Sequence, residues 1–135
     1  MNARKHQLLT GGQVIINLLK QQGVKYIFGL IGSATMDLFD GLYKNKKIKF
    51  IDVRDERTGT HIADGYARAS GKVGIMIAGQ NGPGVTNLVT GVAQAYKAFS
   101  PLITLAGDTA LKQAGMDSFQ EIDQQTLFRP ITKKT

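Results

Sequence analysis

Helix-period and strand-length apolar segments take turns along this chain, and that alternation leaves few folds open to it. Val14, Ile15, Leu18 and Leu19 share one helical face, with Thr10 placed to cap the helix and Gly23 to stop it. Lys25 to Gly29 reads as a strand, and Met36, Leu38, Phe39 and Leu42 as a short helix after a Gly32-Ser33 turn. Lys47 to Val53 is a second strand, Glu56 to Ser70 a helix ended by Gly71, and Val73 to Ala78 a third strand. A helix over Gly84 to Ala98 and a fourth strand over Pro101 to Ala106 follow, then loop with a short helix from Ser118 to Phe128. Strands separated by helix-length segments favour parallel βαβ units, and right-handed crossovers put helices on both faces of the sheet. The expectation is an α/β fold with an open, mainly parallel sheet, one domain over residues 1–135, and a flexible basic tail over residues 1–9.

Composition narrows the chemistry. With 135 residues and 42% hydrophobic content, the chain is long enough to bury a core. Cysteine is absent, so disulfides, thiol nucleophiles and thiolate metal ligands are excluded. The two histidines, His6 and His61, are too few for most metal clusters. The apolar runs are strand-sized, so no membrane span is expected, and no signal peptide is evident; a cytoplasmic location is the expectation. The net charge of +7 sits partly in Arg4, Lys5, Lys133 and Lys134 and partly in Lys44, Lys46, Lys47 and Lys49. The second group reads as a solvated loop without interleaved aromatic residues, so nucleic acid is not expected as a partner.

In an open parallel sheet, ligands bind beyond the carboxyl ends of the strands. Three segments fall there: Gly29 to Ala34, Asp55-Glu56, and Gly79 to Gly84. Glu56 opens a helix, where a carboxylate complements the helix dipole; that is the plain structural reading. Gly82-Pro83-Gly84 is a tight strand-to-helix turn. It is neither a Walker motif nor a dinucleotide fingerprint, and by itself it allows anion binding or nothing at all. His61, with Asp64 and Arg68 one turn further on, reads as a partly buried structural histidine. No serine occupies a nucleophile elbow.

Taken together, Arg54-Asp55-Glu56-Arg57, His61-Ile62-Ala63-Asp64-Gly65-Tyr66-Ala67-Arg68 and Gln80-Asn81-Gly82-Pro83-Gly84-Val85-Thr86-Asn87 closely resemble the N-terminal, pyrimidine-binding domain of thiamine diphosphate enzymes of the acetolactate synthase type. The resemblance runs from about Thr10 to Thr132. It implies a flavodoxin-like domain that binds thiamine diphosphate. It implies that Glu56 hydrogen-bonds the aminopyrimidine ring and relays the activating proton, and that Gly82, Pro83, Gly84 and Asn87 shape the pyrimidine pocket. Ser33 and Gln120, from Phe119-Gln120-Glu121, become candidates for the reaction side. The implied parent reaction cleaves a C–C bond next to a carbonyl and transfers a C2 unit.

The chain also departs from the family pattern. Asp55 stands where many relatives have histidine, and Ile31 where the first loop usually has proline. Gly-Ser-Ala-x-Met-Asp and Gln-Asn-Gly-Pro-Gly are similar to sulfoacetaldehyde acetyltransferases, whereas Phe128-Arg129-Pro130-Ile131-Thr132-Lys133 is similar to acetolactate synthases, so the substrate stays open. The family's Gly-Asp-Gly/Ser motif, which carries Mg²⁺ and the diphosphate in a separate domain, does not occur; Gly107-Asp108-Thr109 lacks the required sequel. The expectation is therefore a domain truncated at its C-terminal part, inactive alone, with no metal ligands of its own. It needs a diphosphate-binding domain of the same or another chain, in a homodimer or higher oligomer. Alternatives are a separate subunit of a split thiamine diphosphate decarboxylase, a sulfoacetaldehyde acetyltransferase fragment, or, from another class, a non-catalytic α/β module that binds an anion or nucleotide.

Overall fold

A computed structural model describes residues 8–135. Four short strands, β1 (Tyr26–Gly29), β2 (Lys49–Asp52), β3 (Gly74–Ile77) and β4 (Leu102–Leu105), form one parallel sheet in the order β2-β1-β3-β4. The helices are α1 (Gly11–Gln21), α2 (Met36–Lys44), α3 (Glu56–Ser70), α4 (Pro83–Thr86), α5 (Val89–Lys97) and α6 (Gln124–Phe128). The chain steps outward from β1 to β2, then returns past β1 to β3 and β4. The reversal falls between β1 and β3, where an open α/β sheet parts its connections and leaves room for a ligand. Of the expected basic tail, residues 1–7 lie outside the described residues; Leu8 and Leu9 are exposed.

The strand alternation sorts the core into two layers. Ile27, Ile75 and Ile77 face α1 and α2, meeting Ile16, Leu38 and Leu42. Phe28, Met76 and Ala78 face the opposite way, meeting Ala63 of α3 and Val92 of α5. Because both faces of β3 are covered, all four of its residues are buried, which is why it reads as a continuous apolar run.

Local signals explain most of the boundaries. Thr10 and Gln13 form a capping box at the start of α1. Asp55 caps α3 by accepting the Thr58 N–H at 3.0 Å. Gly71 ends α3 in the left-handed conformation, φ 67°. Within α3, Asp64 is buried and takes two bonds from Arg68, at 3.0 and 2.8 Å. Burial pushes the Asp64 carboxyl up, but hydrogen bonding to Arg68 and Ser100 and the nearby positive charge outweigh it and hold it below the usual carboxylate range.

Four expectations need correction. The buried face of α1 is Gly12 and Ile16, with Leu19 half-buried beside them, while Val14, Ile15 and Leu18 are exposed. Glycines set that rotation: a Cβ at Gly12 would collide with the Asp37 backbone, and one at Gly41 would lie 3.1 Å from Ile16. The helix expected over Gly84 to Ala98 starts at Pro83 and divides at Asn87-Leu88, where the Leu88 N–H reaches back only to Val85 O, at 3.1 Å. The helix expected over Ser118 to Phe128 is confined to Gln124–Phe128, capped by Asp123, because the preceding residues are tied into a loop. The His61 side chain is exposed and makes no hydrogen bond among the described residues.

Two glycines with opposite surroundings test the packing. A Cβ at Gly91 of α5 would lie 2.5 Å from Thr60 Cγ2 of α3, whereas at Gly65 nothing lies within 4 Å. Gly91→Ala should lower unfolding stability by about 1–3 kcal/mol through overpacking. Gly65→Ala should raise it by about 0.5–1 kcal/mol, through the glycine penalty in a helix. Urea unfolding of the two variants checks both signs.

Candidate functional site

Glu56 is the first residue of α3, directly after the Asp55 cap, and its side chain is turned inward; the residue is 7% exposed. Its Oε1 accepts the Gly79 N–H at 3.2 Å, and its Oε2 accepts a bond from Asn87 Nδ2 at 3.0 Å. Neither partner is charged, and among the described residues no lysine or arginine pairs with it. A buried carboxylate without a cation is costly unless hydrogen bonds or a ligand compensate. Asp55, its neighbour, is spent on capping α3 and on a loose contact with Arg57 at 3.8 Å.

Glycines clear the space around this carboxylate. A Cβ at Gly84 would lie 2.9 Å from Glu56 Oε1, and one at Gly79 would lie 3.2 Å from the same oxygen. Gly82 has φ 50°, a conformation that favours glycine, and a Cβ there would run into the Gln120 carbonyl oxygen. Pro83 then starts α4 at the position where a missing N–H costs nothing. The result is a flat backbone wall beside Glu56. It is a poor setting for an anion, since α4 is one turn long and already faces a carboxylate and a carbonyl.

The three segments at the carboxyl ends of the strands do converge. A Cβ at Gly32 would overlap the Gly79 carbonyl, so the β1 and β3 loops touch backbone to backbone. Thr35 Oγ1 donates to Ala78 O, and Ser33 Oγ donates to Gln80 Oε1 at 2.9 Å. From the far side the loop after β4 is tied in, with Asn81 Nδ2 donating to Phe119 O at 3.2 Å. That loop is shaped by Glu121, which accepts the Gly115 and Ser118 N–H groups; these bonds hold its carboxyl below the usual range. Gln120 sits in the left-handed region at φ 61°, unusual for a residue with a side chain.

The site residues expected from sequence are therefore distributed unevenly. Glu56, Gly84 and Asn87 meet directly; Gly82 meets Gln120; Pro83 is exposed at the start of α4. Ser33 lines a separate polar recess of about 450 Å³ with Gln80, Asp108 and Phe119, and neither Glu56 nor Gln120 lines it. A recess of similar size, about 420 Å³, runs along the outer edge of β4 by Phe99 and Ile131, away from Glu56. Sequence reasoning missed Gln80 and the Gly79 amide as contacts. The signal for Gln80 was present, a polar residue placed just before the glycine turn.

Among the described residues, no group of three or more His, Asp or Glu side chains could hold a metal, and no helix is long and apolar enough to cross a membrane. The Lys44, Lys46, Lys47 and Lys49 side chains are exposed, Lys44 pairing with Asp40 at 2.8 Å.

Residues 9–127 match the family model described as thiamine pyrophosphate enzyme, N-terminal TPP binding domain. The chain is 41% identical over 127 residues to the acetolactate synthase large subunit of Buchnera aphidicola subsp. Schizaphis graminum, covering 94% of this chain and 22% of that protein. It is 46% identical over 125 residues to a probable acetolactate synthase large subunit of Methanocaldococcus jannaschii, covering 93% and 21%. With the isozyme 3 large subunit of Escherichia coli K12, identity is 41% over 127 residues, covering 94% and 22%. The chain thus spans only about a fifth of the length of these relatives. A match over residues 9–127 shows the family: the chain belongs to the N-terminal TPP binding domain family of thiamine pyrophosphate enzymes.

Proposed function

We propose that the chain is the pyrimidine-binding domain of an acetolactate synthase-like enzyme that cleaves a C–C bond next to a carbonyl and transfers a C2 unit. The observation that carries this reading is the Glu56 carboxylate, buried and held by the Gly79 amide and Asn87 but paired with no cation. Such a group fits the ring nitrogen of an aminopyrimidine, which can share or take its proton. When bound, thiamine diphosphate supplies an electron sink for a carbanion formed beside a carbonyl.

This chain's own part is to orient, dry and protonate. Glu56 holds or releases a proton at a carboxylate oxygen. Asn87 and the Gly79 amide fix the plane of that carboxylate, so that its free lone pairs keep one direction. Gly82, Pro83 and Gly84 form a wall that a flat ring can approach without meeting side chains. Ser33 and Gln120 belong to the reaction side, one on each flanking loop. Asp55 caps α3 and touches Arg57 loosely, so the departure from the family pattern, aspartate in place of histidine, leaves the Glu56 geometry intact.

The diphosphate and its Mg²⁺ need a partner domain in this account, from the same chain or another, and the working enzyme is a homodimer or larger. The domain itself offers, besides the Arg68-paired Asp64, one buried carboxylate without a cation and a packing surface, too little to anchor a diphosphate. Taken alone it should bind cofactor weakly and turn nothing over. In the enzyme assembled around this domain, Glu56→Gln should slow exchange of the cofactor's reactive C–H proton, followed by NMR in D₂O, by about 10²–10⁴-fold. Exchange at the wild-type rate would remove Glu56 from the proton relay.

A further inference from the structure

We infer that Glu121 is a positioning residue, a clamp that holds the turn presenting Gln120 to the reaction side; this rests on the proposed assignment of Gln120 to that side. The loop after β4 folds around the Glu121 carboxylate. Its Oε1 accepts the Gly115 N–H at 2.6 Å, and its Oε2 accepts the Ser118 N–H at 2.9 Å. The Glu121 N–H donates to Ser118 O at 2.9 Å, closing a tight turn over Ser118 to Glu121. Ser118 Oγ donates to Gln113 O at 3.0 Å, so the stretch from Gln113 to Glu121 is tied to itself.

That turn holds an unfavourable residue. A tight turn with positive φ at its third residue calls for glycine or asparagine there. Here the third residue is Gln120, at φ 61°, and Asp117, just before the turn, stands at φ 56°. Each conformation costs free energy that the surroundings must offset. Gln120 is half-buried and backs onto the glycine wall, its Cβ 3.1 Å from where a Cβ on Gly82 would stand. Its side-chain amide makes no hydrogen bond among the described residues. A side chain kept at such a place, with donor and acceptor both unengaged, is free to meet a ligand.

The offset comes from two sides. Outside the turn, Asn81 Nδ2 donates to Phe119 O at 3.2 Å. Inside it, the Glu121 carboxylate does the holding. Both groups that face its oxygens are main-chain donors, so both oxygens must accept. A glutamine at this position could accept from only one of them and would turn its own amide hydrogens toward the other. Among the described residues no lysine or arginine pairs with Glu121. The backbone amides alone meet its charge, and they hold the carboxyl below its usual range. Glu121 therefore acts through Gln120, keeping the turn closed on a residue that would otherwise open it.

Two measurements test this. In amide exchange by NMR on the ¹⁵N-labelled chain, Glu121→Gln should speed exchange of the backbone amide at position 121, which closes the turn, by about tenfold. Adding Gln120→Gly, which takes positive φ without strain, should restore most of that protection. Unchanged exchange in Glu121→Gln, or no recovery in the double variant, would overturn the clamp. In the enzyme assembled around this domain, kcat with pyruvate, a small 2-oxo acid, is read in a double-variant cycle. Glu121→Gln should lower kcat by about tenfold, and should have little effect once Gln120→Ala has removed the side chain it positions. Equal losses in both backgrounds would make Glu121 a merely structural residue and overturn the positioning role. An unchanged kcat in Gln120→Ala would remove Gln120 from the reaction side, and the role with it, while the exchange result would still decide the clamp. Neither measurement depends on Glu56, so failure of the clamp leaves the proton-relay reading standing.

Discussion

A carboxylate removed from water must be held by something, and at Glu56 the holders are a main-chain amide and a neutral side chain. Most of the architecture around it follows from that need. The Gly79 N–H is available because β3 has just ended. Asn87 is available because the helical path after Pro83 divides at that residue. Asp55 fixes the start of α3 and so the depth at which Glu56 enters the interior. Gly79 and Gly84 are small because a Cβ at either would stand within 3.2 Å of the carboxylate oxygen. A lysine or arginine partner would satisfy the charge more fully, but it would also occupy the face that a cofactor ring needs.

The sheet supplies the place for this arrangement. Strands ordered β2-β1-β3-β4, all parallel, send the loops after β1, β2, β3 and β4 to one end. At the β1/β3 reversal the loops come close enough for the Gly32 and Gly79 backbones to touch. The loop after β4 then closes on the other side, through Asn81 on Phe119 and Gly82 on Gln120. Glu56 therefore lies between two connections rather than at the tip of one. This arrangement makes its position a property of the fold and not of a flexible loop.

Much of this was legible from residues alone, for physical reasons. Strands covered on both faces, such as β3, have no choice but to be apolar throughout. Thr10 and Gly71 mark helix ends through their own chemistry, and the structure places both as expected, while the Asp55 cap of α3 was not anticipated. The convergence of the three loops followed from parallel topology. What periodicity could not supply was the rotation of α1, because Val14, Ile15, Ile16, Leu18 and Leu19 are apolar almost all round. Glycine packing between α1 and α2 decided it. The division of the second long helix was equally hidden, since Asn87 and Leu88 keep helical dihedrals and only the hydrogen-bond ladder changes. Within the site, Glu56 and the glycine turn stood out, but the link from Ser33 to Gln80 spans 47 residues and no local pattern reports it.

The role of Glu56 depends on what touches its carboxylate when cofactor is present. The most direct measurement is a crystal structure of the thiamine diphosphate complex, with the diphosphate-binding partner supplied. A ring nitrogen of the aminopyrimidine should lie about 2.6–3.0 Å from a Glu56 carboxylate oxygen, with Asn87 and Gly79 still in place. A ring bound elsewhere, with Glu56 contacting only Gly79 and Asn87, would contradict it.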